Sequence, residues 1–176
     1  MINGLFAGVA PDMQGINAWR YQRQVSPGVQ EFVEAVSFQH YLETQRLITY
    51  EETQGKLPEG VMLTEDDYLL GLFDLVGELM RFAITSMATS GEIPGRKIGD
   101  TEGGNMALDL RSLRAHFEIL DTRGAWVHRD AEKKMEVMKT CVEKVENAAY
   151  GLIVRGKERP KGWMPEEKGP EPVESY

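Results

Sequence analysis

Ala131, Met135, Met138, Val142, Val145, Ala149 and Leu152 follow one another at alternating spacings of four and three without a miss. At ~100° per residue that alternation draws one apolar stripe down the side of a long helix. On a strand, where successive side chains point to opposite faces, the same residues would be scattered over both sides. No proline falls between Pro94 and Pro160, so nothing interrupts such a helix; Asp130 stands near its start and Gly156 at its stop. A methionine stripe at this spacing reads as core, packed either inside the chain or against another subunit. Cys141, next to Val142, reads as a small core residue and not a nucleophile.

Three earlier segments carry helical signals. The first runs from about Ser26 to Glu52, with Ser26-Pro27 as N-cap and first helical residue; a helix already running through Trp19–Arg23 and kinked at Pro27 is equally compatible. The second runs from Thr64 to about Ala88: Thr64-Glu65-Asp66-Asp67 has capping-box spacing, and Ser90-Gly91 is the stop. The third spans about Met106 to Asp121 and ends at Gly124. No stretch alternates well enough to be a strand, so the fold class is all-α. Residues 1–16 are expected to be a poorly ordered N-terminal segment, 17–156 the helical domain, and 157–176, rich in Pro, Glu, Lys and Gly, a disordered tail. Gly91–Asn105 reads as a mobile loop.

Composition bounds the function. The 176 residues suit one domain, and none of their apolar runs approaches the ~18 needed to span a membrane. The start has no basic n-region and makes a poor signal peptide. A single cysteine fits a reducing compartment, the cytoplasm or the nucleus. With a net charge of −8 the chain lacks the overall basic footprint of a dedicated nucleic-acid binder, so contact with phosphate must go through a local patch, a metal or a partner. There is no P-loop, no Gly-x-Ser-x-Gly, no paired-cysteine zinc motif and no dinucleotide fingerprint.

Two acidic pairs stand out. Glu31 and Glu34 are three apart and share a helix face with Ala35, Phe38 and Leu42. On spacing alone the plainer reading is a boundary face whose acids reach solvent. Asp74 and Glu78 are four apart on a narrow polar stripe with Asp67, Gly71, Gly77 and Arg81, and Arg81 is a ready salt-bridge partner for Glu78. The two glycines weaken the reading of a merely wet face, because each costs roughly 1 kcal/mol inside a helix and solvent gives nothing back. Glycine there points to another helix, a metal or a substrate backbone coming close. If the first two helices pack side by side, four carboxylates can converge, and oxygen ligands alone suit Mg²⁺ or Mn²⁺. None of His40, His116 and His128 lies three residues after an acid, which argues against a Glu-x-x-His di-iron site. Trp19-Arg20-Tyr21-Gln22-Arg23 is the best local candidate for stacking on bases and touching phosphates, through Arg20 and Arg23; a plain helix end with two arginines reads equally well.

Three blocks, Glu31–His40, Tyr68–Arg81 and Lys144–Tyr150 with Val154-Arg155-Gly156, resemble the translin family in the same order, over about Trp19 to Pro160. The Glu31/Glu34 pair points to its branch of translin-associated factor X (TRAX), since translin is similar along the same stretch but lacks that pair. The resemblance implies an all-α, translin-like bundle, here without the longer N-terminal helical region of the branch, that assembles with translin into a hollow hetero-octamer. It implies a Mg²⁺-dependent endoribonuclease, with Mn²⁺ as substitute, acting on single-stranded or fragmentary RNA, with DNA a further nucleic-acid partner. Passenger-strand removal in RNA silencing and processing of tRNA fragments are the roles it implies. Catalytic acids are implied at Glu31, Glu34 and Asp74, with Glu78 completing the metal ligands.

Overall fold

Among residues 2–95, 104–120 and 128–155, which the computed structural model describes, helices α1 (Ile2–Val9), α2 (Ile16–Arg20), α3 (Gln22–Thr44), α4 (Tyr50–Lys56), α5 (Glu65–Ser90), α6 (Met106–Glu118) and α7 (His128–Arg155) occur without a strand. A short 3-10 turn, Ala10–Met13, follows α1. The boundaries follow their caps. Thr64 accepts from the Asp67 backbone to open α5, Gly91 closes it in the left-handed region, and Asn105 caps α6 through the Leu108 N–H. The 157–176 tail, Gly124, Gly156 and the middle of the Gly91–Asn105 loop lie outside the described residues.

Two expectations are corrected. Residues 2–16, expected to be a poorly ordered segment, hold α1, the 3-10 turn and the start of α2: Phe6, Ala10 and Met13, spaced four and three apart, are buried, and the Phe6 ring meets Phe32 of α3 edge-on at 6.0 Å. The stripe is only two turns long, too short to give a clear helical period in the sequence. The segment expected as one helix from Ser26 to Glu52 is two. Gln45 turns into the left-handed region and its N–H closes α3 on the Tyr41 carbonyl; Thr49 and Glu52 then form a reciprocal capping box that opens α4. At the other end α3 already runs at Gln22, with Pro27 inside it. This bears out the part of the alternative that carries a helix through Pro27, but the helix does not run through Trp19–Arg23, because Tyr21 separates α2 from α3; Ser26 donates to Asp67 instead of capping.

The pairings Gln30–Asp67, Val33–Gly71 and Phe38–Phe82 advance together along both helices, so α3 and α5 lie parallel. Lys134 pairs with Asp74, which puts α7 on the other flank of α5. Helix α6 runs against α7, joined by Arg111–Glu146 at 2.7 Å and Arg114–Glu143 at 3.8 Å, and packs Phe117 on Phe73 of α5 at 4.5 Å. Helix α5 is therefore the central element, with Leu75, Val76 and Ala83 fully buried. The α7 stripe lies inside the chain: Ala131, Met138, Val142, Val145 and Ala149 are buried, with Met135 and Leu152 packed beside them. Cys141 is buried as well, and burial pushes its thiol pKa up, as expected of an inert core thiol.

Candidate functional site

Gly71 sets the approach of the two parallel helices. A Cβ built there would lie 2.6 Å from the Val33 Cβ and 2.9 Å from the Gln30 carbonyl oxygen, so only glycine admits α3 at this distance. One turn before it, the buried carboxylate of Asp67 is saturated. Its Oδ1 accepts from Ser26 Oγ and Gln30 Nε2, and its Oδ2 from Gln22 Nε2 and Thr64 Oγ1. These bonds reach α3 on both sides of Pro27, where proline removes a backbone hydrogen bond, and so hold the helix in register across its weak point.

One turn beyond Gly71 the seam changes character. Glu34 of α3 lies within electrostatic reach of Asp74 and Glu78 of α5, all three half-buried. Partial burial raises the Glu34 pKa, the charges of Asp74 and Glu78 raise it further, and Lys134 and Arg81 oppose them in part. Lys134 Nζ reaches from α7 to Asp74 Oδ1, and Arg81 pairs with Glu78 one turn along α5. Three carboxylates thus share two cations. Glu31, one turn earlier on α3, is exposed and makes no contact with the other three among the described residues. The structure brings together Glu34, Asp74 and Glu78 of the expected set and leaves Glu31 at the rim.

Among the described residues no group of three or more His, Cys, Asp or Glu side chains stands close enough to hold a metal ion as arranged. The donor set itself fits one. It offers only carboxylate oxygens, which suit a hard divalent cation, and it carries more negative charge than Lys134 and Arg81 supply in return. Gly77 adds room beside these acids, for a Cβ there would meet nothing within 4 Å. Of the basic-aromatic cluster, Trp19 and Arg20 are exposed at the end of α2, and the Arg20 guanidinium lies 5.7 Å from the Tyr21 ring centre. Arg23 is on α3, eleven residues before Glu34 and within ~20° of its face, about 16 Å away along the helix.

The translin family profile matches residues 1–156. The chain belongs to the translin family. It is 37% identical over 177 residues to translin-associated protein X of Mus musculus, covering 87% of this chain and 57% of that protein. The homologue of that protein in Schizosaccharomyces pombe is 28% identical over 144 residues, covering 82% and 57%. Human translin is 30% identical over 134 residues, covering 73% and 54%. The chain thus spans well under two thirds of the length of the relatives it matches.

In this translin-family chain the resemblance to the X-protein branch and the all-α fold both stand. Lys134 is the site residue that the sequence does not announce, and Asp67 is the structural one whose burial it does not show. Lys134 sits at the edge of the α7 stripe, sixty residues from Asp74, and no local pattern announces that pairing. Asp67 was placed on the polar stripe of α5, yet it is 2% exposed; the Gln22, Ser26 and Gln30 row, spaced four by four, was the available signal.

Proposed function

We propose that this translin-family chain is the Mg²⁺-dependent endoribonuclease subunit of a hetero-oligomer with translin and cleaves single-stranded or fragmentary RNA. The observation that carries the reading is that Glu34 lies within electrostatic reach of Asp74 and Glu78 across a helix seam that Gly71 keeps tight. The name of the relatives, translin-associated, supports the choice of partner. Glu34, Asp74 and Glu78 would hold the cation, with Glu31 as a further donor from the rim. When bound there, Mg²⁺, or Mn²⁺ in its place, would supply a more acidic water and positive charge beside the leaving oxygen.

The chain's own residues do the rest. The Glu34 carboxylate, facing Asp74 and Glu78 across the seam, would accept the proton of the attacking water at the Oε left free of the cation. Gly77 leaves the floor beside the acids open to a nucleotide backbone. Arg20 and Arg23 contact phosphates while the exposed Trp19 stacks on a base, which aligns a single strand toward the acids. Translin supplies the remaining grip, which a chain of net charge −8 lacks. The products carry a 5′-phosphate and a 3′-hydroxyl. Passenger-strand fragments of RNA silencing and tRNA fragments are the substrates this reading favours.

A second reading, a non-catalytic subunit that only assembles with translin, is favoured by one observation: Asp74 and Glu78 are already paired with Lys134 and Arg81. The test is cleavage of a labelled single-stranded RNA by the chain co-expressed with translin, with and without Mg²⁺, beside Asp74→Asn. We expect Mg²⁺-dependent cleavage that falls at least ~100-fold in Asp74→Asn while helicity and assembly hold. Retained cleavage in that variant would sink the site, and a well-assembled but inactive wild type selects the scaffold.

A further inference from the structure

We propose that Lys134 is a built-in competitor for the divalent cation: its ammonium group occupies Asp74 in the metal-free chain, must leave before a metal can take that oxygen, and so sets the metal concentration the site requires. The inference rests on the metal reading above and goes beyond it by assigning a role to a residue outside the acid set.

The geometry is specific to Lys134. Glu34, Asp74 and Glu78 come from α3 and α5, whereas Lys134 arrives from α7, a third element that closes the acid patch from the opposite flank. Its position is built in, since Ala131, Met138 and Cys141 on the same edge of α7 are buried and fix the helix against α5. The Lys134 and Asp74 side chains are 27% and 38% exposed, so water weakens their attraction without abolishing it. Arg81 differs. It is the neighbour of Glu78 on the same helix and its side chain is 71% exposed, which makes it a flexible surface partner that yields at little cost. Lys134 is therefore the cation a metal has to displace. Three carboxylates beside two monovalent cations remain one charge short, so a divalent ion can replace the ammonium at Asp74 and neutralise more than it releases. The freed ammonium stays tethered beside the acids.

The experiment compares Mn²⁺ and Mg²⁺ binding by isothermal calorimetry to the full chain as wild type, Lys134→Met and Lys134→Arg, with thermal melts of each with and without metal. Methionine keeps the apolar stem and drops the charge. Removing one unit charge at a partly exposed site is expected to tighten Mn²⁺ about tenfold. The metal-free Lys134→Met chain should melt lower and regain more on adding Mn²⁺ than wild type does, while Lys134→Arg stays near wild type. A wild-type measurement stands independently of the variants' folding. With the lysines labelled by reductive ¹³C-methylation, the Lys134 signal, assigned by its loss in Lys134→Arg, should move as Mg²⁺ binds. Equal affinity in Lys134→Met and wild type, or a Lys134 signal unmoved by bound Mg²⁺, overturns the competitor and leaves the metal reading standing. No binding to either chain overturns both.

Discussion

Two sets of carboxylates line one helix seam and could hardly be held more differently. At the first, Asp67 is 2% exposed and its two oxygens accept from four neutral donors, Gln22, Ser26, Gln30 and Thr64. At the second, two turns on, Glu34, Asp74 and Glu78 are half-exposed, push against one another, and share two cations. A saturated carboxylate is a structural fastener with nothing left to offer a ligand. An undersaturated cluster stores repulsion that a ligand can relieve, and that is the property expected of a binding or catalytic site. Gly71, between them, lets one seam carry both by pulling α3 onto α5.

The sharpest way to break this comparison is at the fastener. Asp67→Ala should cost about 3 kcal/mol in urea unfolding, because it strands several buried donors at once. Asp74→Asn, by contrast, should leave stability nearly unchanged and strike activity. If the two variants destabilise equally, the distinction between fastener and site fails. Next come the two glycines of the same stripe. Gly71→Ala should cost about 1–3 kcal/mol, since its Cβ would lie 2.6 Å from Val33. Gly77→Ala, with nothing within 4 Å, should gain about 1 kcal/mol from helix propensity alone. A Gly77→Ala chain that is more stable yet slower on RNA would mark that open floor as substrate space; unchanged turnover would remove it from the site.

Most of the frame was legible because its signals are local. The four-three stripe of α7, the Thr64 cap and Gly91 stop of α5, and the two glycines on a polar stripe each span a few turns, and all reappear in the structure. What was lost depends on contacts distant in sequence. The residues near Pro27 leave a helix starting there and one continuing through it equally open; what decides is Asp67, some forty residues later, which grips Gln22 and Ser26 before the proline and Gln30 after it. The break between α3 and α4 has a local signature, the Thr49-x-x-Glu52 capping box, which the expected single helix from Ser26 to Glu52 passes over. The acids were readable as residues and not as an arrangement. Glu31 and Glu34 share a face, yet only Glu34 turns into the seam, and Lys134 enters it from a helix whose apolar pattern said nothing of charge.

The smallest expected effect lies within the cluster itself. Burial first, and then the charges of Asp74 and Glu78, raise the native pKa of Glu34 above its unfolded value. A carboxyl raised in this way contributes stability while protonated, at pH values below the ordinary glutamate pKa of about 4.3, and loses that contribution as the pH climbs through the raised native value. Glu34→Gln fixes the neutral form. It should therefore match wild type in acid and become the more stable of the two above the native pKa, in urea melts collected from pH 4 to pH 8 without metal. Excess Mg²⁺ should reverse that order at neutral pH, because only the charged side chain gains from the cation. A Glu34→Gln advantage that persists unchanged in Mg²⁺ would show that the repulsion stored at this end of the seam is not there for a metal to relieve.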